Sequence, residues 1–229
     1  MTYEKAREFA VEFLTALNHD EAIQAELLAA VTECFHRYDT GAYENRFIVG
    51  AVVEQLLGAT ARALGFEVEN AGARRQAYDL EISANYGLSV KYSSSVGRSA
   101  RVRLTNSQGA VGVWTTGTIF VLAGVGIGYA DAGLVPGATM HSGDSKSLDV
   151  AVQPLLQLWE RPLRATKGAA PAWLAEIPVP TPRPDLFVAI PIPERAALRS
   201  PRLAGDPIAL DILQSGQSQT LLANFKWSI

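Results

Sequence analysis

Apolar positions recur at helical spacing through roughly the first 65 residues and then at every second position, so the chain opens with helices and passes into strands. Over residues 3–18, Phe9, Phe13, Leu14 and Leu17 share one face while Glu4, Lys5, Glu8 and Glu12 fall elsewhere, which predicts an amphipathic helix. Asp20 is placed to cap a second helix reaching to about residue 38, with Ile23, Leu27, Leu28, Val31 and Phe35 turned inward. Asp39-Thr40-Gly41 breaks the pattern, and a third helix is expected over residues 42–64, closed by Gly65.

A short strand is expected over 66–69, then a loop holding Arg74 and Arg75, then two strands in the stretch YDLEISANYGLSVKYSSS, residues 78–95. Side chains alternate along a strand. Leu80 and Ile82 therefore take one face and Asp79, Glu81 and Ser83 the other; on the next strand Leu88, Val90 and Tyr92 oppose Ser89, Lys91 and Ser93. Further on, Arg101, Arg103 and Thr105 alternate with Val102 and Leu104, and core strands are expected over 114–122 and 127–130. A surface loop holding Asp131, His141 and Asp144 and a helix over 147–159, kinked or broken at Pro154, follow. The seven prolines of residues 171–193 predict extended loops wrapping the core around a strand at 186–190. Short helices near 194–198 and 208–213 and a last strand near 221–227 complete the reading.

Length changes this picture little: 229 residues suit a single domain, here a helical layer over 1–41, a core over 42–135 and peripheral elements over 136–229. At 48% hydrophobic and 19% charged residues the chain is globular in composition rather than disordered. A formal net charge of −3 argues against a non-specific nucleic-acid coat protein, yet is compatible with an acidic site beside a basic contact surface. The one cysteine, Cys34, excludes an intramolecular disulfide and favours a reducing, cytoplasmic setting. The charged, amphipathic start lacks a secretory apolar core, and the most apolar run, 118–129, falls short of the roughly 20 residues that span a bilayer, so no membrane association is expected. Gly124, Gly126 and Gly128 match neither a dinucleotide nor a P-loop spacing, and no nucleotide cofactor is expected.

Candidate chemistry concentrates in residues 78–95. If the two strands there form a hairpin with an odd-length loop around Asn85, Asp79 falls opposite Lys91 and Glu81 opposite Ser89. Two carboxylates and a lysine on one face suit a Mg²⁺ site, since hard cations take carboxylate and carbonyl oxygens. They equally suit an ordinary Asp–Lys pair on a solvated strand. Glu54 adds to the picture from the third helix: its neighbours on that face, Phe47, Gly50, Ala51, Leu57, Gly58 and Ala61, are uncharged. Its carboxylate therefore needs a cation, a solvated edge position or an arginine such as Arg62.

Glu54 on a helix, Asp79 at the start of one strand and Ser89-Val90-Lys91 on the next together resemble the PD-(D/E)xK nuclease superfamily, type II restriction endonucleases in particular. There an acid opens one strand, an acid-x-lysine triplet lies on the next, and a glutamate often comes from the preceding helix. The resemblance spans residues 44–105, with Tyr78 where the family often has proline and Ser89 where it usually has an acid. It implies an α/β fold with a mixed sheet flanked by helices, and Mg²⁺-dependent, sequence-specific cleavage of double-stranded DNA to 5′-phosphate and 3′-hydroxyl ends. Asp79 would bridge Mg²⁺ and the scissile phosphate, Glu54 or Glu81 would supply the second carboxylate, the Val90 carbonyl would be a further ligand, and Lys91 would position the attacking water. A homodimer is expected because two-fold symmetric sites are cut by symmetric pairs. Ser93, Ser94, Ser95, Arg74, Arg75, Arg98, Arg101, Arg103, Asn106 and Gln108 are candidate DNA contacts, although arginines on an edge strand also guard against aggregation. A repair or junction-resolving nuclease, and a catalytically inactive DNA-binding protein, are the alternatives.

Overall fold

A computed structural model describes residues 3–37, 45–71, 78–83, 86–93, 101–104, 113–141, 148–162, 172–193, 205–215 and 218–226. The chain begins with α1 (Glu4–His19), whose buried stripe is Ala6, Phe9, Ala10, Phe13, Leu14 and Leu17, as the spacing predicts. Asp20 then accepts a 2.9 Å hydrogen bond from the Ile23 amide, capping α2 (Glu21–Arg37). The long α3 (Asn45–Ala63) ends where Gly65 takes φ +89°, and the Phe66 amide reaches back to the Ala61 carbonyl. This is the glycine-dependent reversal that satisfies the last carbonyls of a helix.

Beyond it lie β1 (Glu69–Asn70), β2 (Leu80–Ser83), β3 (Tyr86–Ser93), β5 (Thr118–Leu122), β6 (Gly126–Ala130) and β9 (Phe187–Val188), hydrogen-bonded in that order into one six-stranded sheet. Every neighbouring pair is antiparallel except β3 and β5, which run parallel with Ser89 beside Thr118 and Lys91 beside Phe120. The architecture is thus mixed α/β. A second, three-stranded sheet is ordered β4 (Arg101–Leu104), β8 (Leu148–Ala151) and β7 (Thr139–His141). The remaining helices are α4 (Val152–Leu158), α5 (Gly205–Ser215) and α6 (Gln219–Ala223).

The core is continuous from the helices into the sheet. Leu80, Leu88 and Val90 are buried, the Phe35 ring of α2 lies 5.0 Å from that of Tyr92, and Phe66 packs edge-on against Phe9 and Phe13. Tight packing also explains Trp159, whose indole donates to the Tyr129 carbonyl at 2.9 Å and lies against Gly128, where a Cβ would collide with the ring. Among the described residues no helix is long and apolar enough to cross a membrane.

Four expectations need correction. Residues 148–151 form β8 rather than the start of a helix, so Pro154 sits in the first turn of α4, where a missing amide costs nothing. Residues 219–223 form a helix, not a terminal strand, because the Glu26 carboxylate of α2 receives the Thr220 and Leu221 amides and the Thr220 hydroxyl. The proline tract contains 3₁₀ turns at Ala172–Glu176 and Pro184–Leu186 beside its extended stretches. Finally, Asp131 is fully buried rather than in a surface loop. It accepts from Arg7 Nε and Nη2 at 2.7 Å each, from the Tyr129 hydroxyl at 2.9 Å and from the Gly133 and Leu134 amides, pinning α1 to the end of β6. The expected helix at 194–198 and Asp144 lie outside the described residues.

Candidate functional site

Asp79 stands immediately before β2 and is held in place by main-chain bonds, its amide to the Leu88 carbonyl and its carbonyl to the Ala71 amide. Its side chain faces β3. One carboxylate oxygen, Oδ2, receives the Ser89 hydroxyl at 2.8 Å, the Val90 amide at 2.6 Å and the Lys91 ammonium at 3.2 Å. The same ammonium donates to the Val90 carbonyl at 2.8 Å. The Asp79 and Lys91 side chains are 25% and 17% exposed, so the pair is reachable from solvent yet partly shielded from its screening.

The strand parity read from the sequence holds, and the register differs. Leu80 pairs with Leu88 and Glu81 with Gly87, so continuing by one pair sets Asp79 across from Ser89 and not Lys91. The hairpin is tighter than an odd loop around Asn85 would make it: β3 already begins at Tyr86, with an irregularity between Glu81 and Ser83. Lys91 reaches Asp79 diagonally, a distance its four-carbon stem spans.

The shift also moves Glu81 away from Ser89. Glu81 lies between Gly87 on one side and Glu69 on the other, lining a cleft of about 540 Å³ with Arg62, Phe66 and Lys226. Lys226 pairs with Glu69 at 2.6 Å, which offsets the like charges of Glu69 and Glu81. Glu54 sits on α3, half-buried, and its main-chain carbonyl accepts a hydrogen bond from Asn70 Nδ2 at 3.0 Å. The guanidinium of Arg62 donates instead to the Asn224 and Val68 carbonyls and to Asn70 Oδ1, and burial pushes its pKa below the ordinary value. Among the described residues no three His, Cys, Asp or Glu side chains are gathered as a metal-holding group, so Asp79, Glu54 and Glu81 do not form one cluster.

What the chain does bring together is one carboxylate, one main-chain carbonyl and one ammonium. Carboxylate and carbonyl oxygens are the donors a hard cation takes, and Mg²⁺ is commonly held by one or two carboxylates with water and phosphate completing its shell. Lys91 Nζ already bonds to both oxygens, a cation standing where such an ion would bind. In donor type, therefore, Asp79 and Val90 fit Mg²⁺.

No family model, no curated protein and no solved structure matches this chain.

Of the candidate DNA contacts, Ser93 ends β3, half-buried, its carbonyl receiving the Ala123 amide. Arg101 and Arg103 lie on one face of β4, with Val102 and Leu104 buried behind them, as alternation predicts. Both guanidiniums meet Asp149 of β8, at 3.8 Å and 3.0 Å, and Asp149 is directly across from Arg103. Arg74, Arg75, Ser94, Ser95, Arg98, Asn106 and Gln108 lie outside the described residues.

Asp149 and the anchoring part played by Ser89 are what sequence reasoning missed. Leu148 and Val150 flank Asp149 with the alternation of a strand, and that signal was available; it competes with the helical spacing of the residues after it. Nothing in the sequence announces that Ser89 donates to Asp79, because that bond depends on the register.

Proposed function

We propose that this chain is a Mg²⁺-dependent, sequence-specific endonuclease of the type II restriction kind, cutting double-stranded DNA as a cytoplasmic homodimer on a restriction endonuclease-like fold. The observation that carries the reading is the convergence of Asp79, the Val90 carbonyl and Lys91 at the start of β2 and the middle of β3, downstream of a helix bearing Glu54.

In this reading the Asp79 carboxylate and the Val90 carbonyl would hold Mg²⁺, with Glu54 or Glu81 as the second carboxylate. When bound, the ion supplies charge neutralisation at the scissile phosphate and lowers the pKa of a bound water. The chain's own residues do the positioning. Ser89 and the Val90 amide fix the Asp79 rotamer through Oδ2, so the carboxylate is preorganised before DNA arrives. An ammonium has three donors. Lys91, beside both Asp79 and the Val90 carbonyl, would turn these donors to a water or a non-bridging phosphate oxygen for in-line attack, leaving a 3′-hydroxyl and a 5′-phosphate. Arg101 and Arg103, held side by side by Asp149, would approach the phosphates or the guanine edges of the duplex.

A second reading draws on the same bonds. Oδ2 of Asp79 is fully engaged by three donors, which is also how a structural carboxylate staples a hairpin, and a catalytically inactive DNA-binding protein would need nothing more. Digestion of phage DNA by the purified protein separates the readings. Discrete Mg²⁺-dependent fragments support the restriction enzyme, cutting of branched substrates alone supports a junction-resolving or repair nuclease, and binding without cutting supports the inactive protein. Comparing Glu54→Ala with Glu81→Ala then assigns the second carboxylate.

A further inference from the structure

We infer that Lys91 is a built-in competitor for the cation, released from Asp79 and Val90 when metal binds. The inference rests on the nuclease reading and adds to it the order of events at the site. Lys91 Nζ lies 3.2 Å from Asp79 Oδ2 and 2.8 Å from the Val90 carbonyl oxygen, so it bonds to both of the groups that would hold the ion. Mg²⁺ approaches its oxygens to about 2.1 Å, so an ion held by these two groups would stand within a few ångströms of the ammonium, where the two positive charges repel. Occupation by one therefore displaces the other.

The remaining bonds make the exchange feasible without loss of the hairpin. Ser89 Oγ and the Val90 amide keep Oδ2 in place while Lys91 leaves, and the main-chain bonds of Asp79 to Leu88 and Ala71 do not involve the lysine. Before metal arrives, Lys91 neutralises Asp79; afterwards it is free for the reacting phosphate or water. One side chain serves both states because its stem is long and flexible.

Two measurements on the full chain test this without reading activity. Mn²⁺ titration, followed by calorimetry or paramagnetic resonance, is expected to show Lys91→Met binding about three- to tenfold more tightly than wild type, the gain from removing a partly exposed ionic competitor. In wild type, saturating Mn²⁺ is expected to raise the rate at which an amine-directed acylating reagent labels Lys91, read by peptide mass spectrometry, and Asp79→Asn is expected to abolish that rise. Equal Mn²⁺ affinity in wild type and Lys91→Met, or labelling of Lys91 unchanged by saturating Mn²⁺, overturns the inference and leaves the nuclease reading standing. Absence of Mn²⁺ binding in both proteins overturns the inference and the metal-dependent reading together. If Lys91→Met does not fold, the labelling of wild type decides alone.

Discussion

The Ser89 hydroxyl donates a 2.8 Å hydrogen bond to Asp79 Oδ2, from the position on β3 that the register sets across from Asp79. Where a second carboxylate would stand in an acid-x-lysine triplet, this chain has a donor that orients the first. Ser89→Ala removes one of three bonds to Oδ2 and is expected to cost about 1 kcal/mol, or about 2–4 °C in Tm, with Ser89→Thr restoring most of it. Ser89→Asp sets two carboxylates side by side. Its Tm is expected to fall without metal and to rise with Mg²⁺ by more than that of wild type, as measured by thermal denaturation.

Gly87 permits the close approach of β2 to β3 that brings Asp79 and Lys91 together. A Cβ there would overlap the Leu80 carbonyl oxygen and the Tyr78 side chain, and the backbone oxygen cannot rotate away. Gly87→Ala is expected to destabilise the protein by about 1–3 kcal/mol in urea denaturation and to lower any cleavage rate, since β2 must move off the site.

Arg7 and Asp131 fasten α1 to the sheet across 124 positions of sequence. Arg7→Met strands a fully buried carboxylate whose other partners are Tyr129 and two amides. The expected cost is about 2–3 kcal/mol, toward the low side for a broken buried pair because Arg7 is 32% exposed. The urea midpoint measures it, and a far-UV spectrum checks that the helices persist.

Burial pushes the Cys34 thiol from its ordinary value near 9 up to about 12. The folded-state pKa is raised above the unfolded one, so the neutral thiol favours the native state below about pH 9 and that contribution is lost as pH rises toward 12. At pH 8 an aromatic disulfide reagent is expected to leave Cys34 untouched in the native protein and to titrate one thiol after unfolding in urea.

Local physics explains which parts of this structure could be read from the sequence. The stripe of Phe9, Phe13, Leu14 and Leu17, the Asp20 cap and the Gly65 stop each depend on neighbours within a few residues, and α1, α2 and α3 follow from them. Strand parity is equally local, and it is what sets Asp79, Ser89 and Lys91 on one face. Register is set by the hairpin connection, and a shift of two residues, which keeps the parity, moves the partner of Glu81 from Ser89 to Gly87. The bonds of Asp131 to Arg7 and of Glu26 to the start of α6 join residues more than a hundred positions apart, and no periodicity encodes them. Residues 148–151 carry signals for both strand and helix; pairing with Arg101–Leu104 decides for the strand.

The proposed function requires Asp79 and Lys91 to act together in cutting DNA. Its most direct test is Mg²⁺-dependent cleavage of duplex phage DNA by wild type, Asp79→Asn and Lys91→Ala, with circular dichroism confirming that all three are folded. Wild type is expected to give discrete fragments, and each variant to lose about 100-fold or more in rate. Full cleavage by either folded variant, or none by wild type in Mg²⁺ over a range of duplex substrates, would contradict the proposed function.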